Sequence, residues 1–264
     1  MGTDTLLAEA VVDAAVERIG DDPELVRLPA LPYGHSPHHL FAAAVSLSAT
    51  TLLAVLDDAL ESLVRSGFRR ALLVNGHGGN DEVVKLAVKR CALRSDVAFG
   101  ACSYWSLAGP QGPSQSPGHA GWFETSLLLA AHPDLVRPAA RRPEPDPPPL
   151  FHRSPAPGLV VARYGEWERV GGATDDAADA NAEEGRGLLA ARAEALAEAI
   201  RASTERRPTA TARRRGPDLA GWNVGAWCVP RNAPDPGSCR PSASPPREVR
   251  RSIGTHRADL AHQR

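Results

Sequence analysis

The sequence predicts an α/β fold, with a parallel or mixed sheet between helices, on three observations. Apolar runs and amphipathic stretches alternate along residues 4–203. The run Arg70-Ala-Leu-Leu-Val-Asn75 is compactly apolar, as a strand buried on both faces must be. Glycines follow that run and lead directly into a helical pattern. With 264 residues, 42% of them hydrophobic, the chain is long enough for one or two domains.

Taken in order, residues 4–19 read as a helix with Leu6, Ala10, Val11, Ala14 and Ile19 near one stripe and Thr3 or Asp4 as its cap. Residues 25–32 suggest a short strand broken by prolines, and 33–47 a histidine-rich loop ending in Val45-Ser-Leu47. A second helix spans 48–67, with Leu60 and Leu63 continuing its apolar stripe. The strand at 70–75 leads into a helix at 80–93, a strand candidate at 97–105 and a helix at 122–131. Eight prolines in 137–157 make a surface loop or lid. Residues 175–203 are a strong Ala/Glu/Arg helix.

The formal net charge of −1 hides an asymmetry. Residues 204–264 carry 12 Arg and five acidic groups, a net of +7, which leaves −8 on residues 1–203. The chain therefore divides into a catalytic-looking domain, 1–203, and an Arg/Pro-rich tail, 204–264, whose eight prolines and lack of period predict disorder. The tail lacks regularly interleaved aromatics, so no nucleic-acid partner is expected. No run approaches the ~18 apolar residues of a membrane helix, and no signal peptide is visible. Four cysteines without a CxxC pair fit a reducing cytoplasm.

Three segments carry chemistry. Asn75-Gly-His77-Gly78-Gly79-Asn80 lies at the carboxyl end of the buried strand, where open α/β sheets gather their sites. A histidine there can present a ring nitrogen to a metal; a plain strand-to-helix turn with a solvated histidine fits the same residues. Without Gly-Lys-Ser/Thr it is no Walker loop. His119 and Glu124, five apart at a loop-to-helix transition, suit a metal site or an acid/base pair, although Glu124 also suits the first turn of a helix for its dipole alone. His35-Ser-Pro-His38-His39 can bind metal, but a solvated loop is the plainer reading.

Together these segments resemble the creatininase (creatinine amidohydrolase) family over residues 1–203. The matching pieces are Gly2-Thr-Asp4-Thr, Tyr33-Gly with His38-His39 and Val45-Ser-Leu47, Asn75–Asn80, Ser103-Tyr-Trp105, His119-Ala-Gly with Glu124-Thr-Ser, and Ala182-Glu-Glu-Gly-Arg-Gly, in the family's order. The resemblance implies a three-layer α/β/α sandwich with a mainly parallel sheet. It implies a homo-oligomer holding two divalent ions, Zn and/or Mn, that hydrolyses a C–N bond of a small or cyclic amide. Asp4 would bridge the ions and His77 would bind one of them. His119 would move protons beside the bridging water, which two cations acidify while polarising the carbonyl. The family's Glu two residues after the motif histidine is Gly79 here, so Glu124 would stand in as the carboxylate ligand. Trp105, His39, Gly78 and Gly79 would meet substrate. The family's Glu-x-His pair, about ten residues before the bridging carboxylate on a first strand, has no counterpart before Asp4. The expectation is therefore a sheet without that strand and a site short of two of the family's ligands, which leaves the activity of this chain open. Ala42-Ala43-Ala44 replaces an FPGT-like turn. The same resemblance admits a peptide-trimming homologue of mycofactocin-type maturation, or a degenerate, non-catalytic domain.

Overall fold

The computed structural model describes residues 2–107, 117–137, 141, 145–151, 155–205 and 224–225. The chain divides into two compact units, Met1–Ala233 and Pro234–Arg264, and the described residues all belong to the first.

The elements run α1 (Thr3–Ile19), a 3-10 turn (Pro37–Ala42), α2 (Ala49–Arg65), β1 (Arg70–Asn75), α3 (Asp81–Ala92), β2 (Ala98–Ser103), α4 (Trp122–Ala131), the short α5 (Glu166–Arg169), α6 (Ala182–Glu205) and β3 (Val224–Gly225). The sheet order is β2-β1-β3 and both pairings are parallel. β1 and β2 pair along their whole length, from Arg70 with Ala98 to Asn75 with Ser103.

The period-two alternation of β1 divides the interior. Ala71 and Leu73 point to one face and join Leu52, Leu56, Leu60, Val84, Ala87 and Val88 of α2 and α3. Val74, with Cys102 of β2, points to the other face and joins Leu7, Val11, Val12, Phe123, Leu127, Leu196 and Ile200 of α1, α4 and α6. A strand apolar on both faces needs cover on both, and the result is a helix–sheet–helix sandwich. Among the described residues no helix is long and apolar enough to cross a membrane.

Several boundaries differ from the sequence reading. Residues 25–32 form isolated bridges at Leu25 and Leu28, because the prolines at 23, 29 and 32 interrupt a ladder. Helix α1 starts on Gly2 with no side-chain cap; Thr3 and Asp4 lie inside its first turn, and the Asp4 carboxylate turns to His77 instead. The last helix starts at Ala182, where Asn181 Oδ1 accepts from Glu184 N (2.9 Å) and Asn181 Nδ2 donates to Glu184 Oε2 (2.9 Å). That reciprocal box sets the start seven residues later than the composition suggested. Val224–Gly225 of the expected tail lie in the sheet beside Leu72 and Leu73; the rest of 206–264 falls outside the described residues. Much of the proline-rich segment 137–157 also falls outside them.

Candidate metal centre

Strand β1 ends on Asn75, a buried polar residue that fixes the turn after it. Its Nδ2 donates to His77 O (2.8 Å) and Ser103 Oγ (2.9 Å), and its Oδ1 accepts from His77 N (3.1 Å). Ser103 Oγ in turn donates to Asp81 Oδ1 (2.7 Å) at the start of α3. His77 is therefore held by the sheet end and not by a mobile turn. Gly76 permits the next approach: a Cβ there would strike the backbone oxygen of Asp4. With none, the first turn of α1 lies against the strand end, and His77 Nδ1 meets Asp4 Oδ2 at 3.0 Å.

The histidine-rich loop is ordered, not solvated. His35 N donates to Asn80 Oδ1 (2.7 Å), Leu47 N to Gly34 O (2.8 Å) and Ser36 N to Ser46 Oγ (2.8 Å). These bonds clip the loop onto the Asn75–Asn80 turn and bring His38 and His39 over His77. One ring nitrogen from each of His38, His39 and His77 lies within 4.8 Å of the others. His39 Nδ1 bonds Ser36 Oγ (2.8 Å), and Asp4 takes His77 Nδ1, so the Nε2 atoms of both are directed elsewhere. Both Nε2 atoms are buried and have no partner. Two orphaned imidazole nitrogens beside a third fit a divalent cation.

His119 lies on the same cluster, its ring stacked on His39 at 4.1 Å. Its backbone is pinned by His119 N to Thr174 Oγ1 (2.7 Å) and Thr174 N to His119 O (3.0 Å). Glu124 is buried and accepts from Ala120 N (2.7 Å), closing the loop before α4. Asp4, His39, His77 and His119 all line one cavity of about 580 Å³, whose lining also includes Leu52, Leu56, Leu73 and Val84.

Burial and the neighbouring His77 and His119 pull His38 down to about 4. Burial and the neighbouring His119 and His38 pull His39 down to about 3. Burial also lowers His119. All three rings are therefore neutral near pH 7, the form a metal or a proton acceptor requires. Glu124 is pushed up to about 7, first by burial and then by the Asp4 carboxylate. Tyr104, buried beside it, is raised well above its ordinary value, mainly by burial.

The structure thus brings Asp4, His39, His77 and His119 together. Gly79 lies directly beneath His77 and His38, whereas Gly78 is exposed and meets nothing. Trp105 does not line the cavity; it packs edge-on against Tyr104 (5.0 Å) at the α1/α4/α6 core, because β2 ends at Ser103 and the chain turns inward. The aromatic side chain packed on the histidine cluster is one that sequence reasoning missed. Trp167 of α5 packs on His38 (4.5 Å), His39 (5.0 Å) and His119 (5.6 Å), and Phe151 stacks behind it at 4.0 Å. No periodicity or motif marks a lone tryptophan in a four-residue helix.

This arrangement has relatives. The family model for creatininase, creatinine amidohydrolase, matches residues 1–200. The chain belongs to the creatininase family. The creatinine amidohydrolase of Pseudomonas putida is 34% identical over 190 residues, covering 61% of this chain and 72% of that protein. The mycofactocin precursor peptide peptidase of Mycobacterium ulcerans is 34% identical over 142 residues, 52% of this chain and about half, 53%, of that relative. A crystal structure of creatinine amidohydrolase superposes with a TM-score of 0.61 at 30% identity, covering 79% of this chain and 85% of the other. Solved creatininases of this fold include a manganese form (TM-score 0.60, 29% identity, 76% and 83% covered) and a variant of Zn-Zn type (0.59, 30%, 76% and 83%).

Proposed function

We propose that this creatininase-family chain is a metal-dependent amidohydrolase that adds water across the C–N bond of a small or cyclic amide. The observation that supports this most is the convergence of four chemically apt side chains, Asp4, His39, His77 and His119, on one cavity from four separate parts of the sequence.

A divalent cation on the imidazole nitrogens supplies Lewis acidity to an amide carbonyl and acidity to water. The protein's own groups do the rest. His119, kept unprotonated by burial, accepts a proton from the attacking water and returns it to the departing nitrogen, so that acid and amine are the products. Asp4 holds the His77 ring in place through Nδ1. Trp167 packs on the His38, His39 and His119 rings and would shield them from solvent. A second ion, as the resemblance implies, would draw on the carboxylates of Asp4 and Glu124. Substrate contact through His39 fits its place in the cavity lining.

A second reading, peptide trimming, is favoured by the similarity to a mycofactocin precursor peptide peptidase and by a cavity of about 580 Å³ that includes the apolar side chains of Leu52 and Leu56. The proposal extends to a cytoplasmic homo-oligomer. The apolar side chains of Leu31, Tyr33, Leu40, Phe41 and Val45 are exposed on the loop over the site, more than an isolated surface normally shows.

The test incubates the 264-residue protein with creatinine, other cyclic and linear amides, and short peptides, and follows the gain of one water by mass spectrometry. Turnover that stops on chelation and returns with Zn²⁺ or Mn²⁺ is expected. A protein that loads metal yet hydrolyses no member of the panel would establish the non-catalytic alternative.

A further inference from the structure

We propose that the primary cation site of this chain is a three-imidazole site made by His38, His39 and His77, with Asp4 as the carboxylate that orients His77, and that it selects zinc-class ions over manganese. The inference rests on the metal-dependent reading above and names the ligands of that site.

The geometry turns on Gly79. A Cβ at that position would lie 2.8 Å from His77 Nε2 and 3.0 Å from His38 Cε1, and would strike the backbone oxygen of His35. The space a side chain at 79 would fill is therefore taken by the His35 carbonyl and by the rings of His77 and His38. Its ring stacks over His77 at 5.5 Å and only 9° from parallel. His39 closes the third side, 4.2 Å from His38. Asp4 on His77 Nδ1 fixes that ring's tautomer with Nε2 unprotonated, Ser36 Oγ holds His39 by Nδ1, and one nitrogen of each of the three rings lies within 4.8 Å of the others. A ring whose outer nitrogen is held by a carboxylate or hydroxyl is the usual supporting arrangement for a metal-bound histidine. Neither Nε2 has another partner, which a buried polar atom rarely tolerates.

Three neutral nitrogens and one open position suit a four-coordinate zinc site; manganese prefers oxygen donors and higher coordination. Asp4 contributes to this first site by orientation, through Oδ2 on His77 Nδ1.

The experiment uses the full chain, stripped of metal, and titrates it with Co²⁺ while recording the visible d–d spectrum, with Zn²⁺ and Mn²⁺ as competitors. The expected result is a four-coordinate cobalt spectrum saturating its first phase at one equivalent, displaced by Zn²⁺ and not by equimolar Mn²⁺. His38→Ala and His39→Ala should each lose this phase, and His132→Ala, at the end of α4, should keep it. Asp4→Asn should keep the spectrum with about 10–100-fold weaker binding. Gly79→Ala, which leaves all three imidazoles in the sequence and crowds them apart, should weaken binding more than tenfold. Far-UV circular dichroism confirms that each variant is folded. Wild-type cobalt binding by folded His38→Ala, or displacement by Mn²⁺ as readily as by Zn²⁺, overturns the proposal. Loss of the cobalt phase in Asp4→Asn overturns the orienting role. Because the readout is binding, a chain that binds one cation and hydrolyses nothing refutes the function alone.

Discussion

Glu124 shows how one buried side chain carries both a role and a cost. Its carboxyl is raised from 4.5 to about 7, so in the metal-free folded protein it holds its proton through a range where the unfolded chain has lost it. The folded state then binds more protons than the unfolded state between about pH 4.5 and 7, and this group's contribution to stability falls as pH rises through that window. The Glu124→Gln variant lacks this dependence. Its stability relative to the parent should therefore increase from pH 5 to pH 8, by up to about 3 kcal/mol. Urea unfolding of both proteins in chelator at the two pH values measures it, and a pH-independent difference would contradict the assignment. His38 and His39 act with the opposite sign. Lowered to about 4 and about 3, they remain neutral in the fold where the unfolded chain protonates them, so their contribution is present above about pH 6.5 and lost on acidification. At this scale the sequence was legible where motifs were dense. The motifs single out His77, His119 and Asp4, and these line one cavity, whereas the solvated reading of the His38 loop misses that Asn80, Ser46 and Leu47 clip it down, because nothing local shows those partners.

Ala43 is a second position where the sequence itself explains the strain. It ends the 3-10 turn at φ 59° and ψ 37°, in the left-handed region, within the run Ala42-Ala43-Ala44. The left-handed conformation costs a non-glycine residue roughly 1–2 kcal/mol, and glycine's extra freedom when unfolded offsets part of the relief. Ala43→Gly should raise stability by about 0.5–1 kcal/mol, read as an increased urea midpoint at unchanged slope. A lower midpoint would contradict it.

Among the elements, α6 depends most visibly on local chemistry. Asn181 and Glu184 cap it reciprocally, and Trp122 Nε1 donates to the same Glu184 oxygen (2.8 Å), linking the start of α6 to the start of α4. Asn181→Ala should cost about 1 kcal/mol, and the double substitution with Glu184→Ala should cost less than the sum of the singles. Additivity in thermal unfolding would show that the box is not a unit. Helix and strand identities were largely readable from periodicity. Their ends were not, because caps and bridges decide them: Ser48 accepts from Thr51 N to start α2, and prolines reduce residues 25–32 to single bridges.

For the whole molecule, the sandwich follows from β1, whose two faces both need cover, and whose carboxyl end gathers the site. The role of the segment beyond residue 205 was not legible, since composition alone carries no pairing information. Its described part, β3, lies parallel to β1 at Leu72 and Leu73. A chain ending at Glu205 should lose hydrogen-exchange protection at the one of these two residues whose N–H faces β3 and keep it at the other, in the β1–β2 ladder; unchanged protection at both would show that β3 does not hold that edge in solution. The central claim, metal-dependent C–N hydrolysis at the His77 centre, is tested most directly by measuring amide hydrolysis as Zn²⁺ is added to the metal-free 264-residue protein and to His77→Ala. The account predicts a rate that rises with bound zinc in the parent and stays at background in the variant at every zinc concentration. Equal rates in the two proteins, or a parent rate indifferent to zinc, would contradict it.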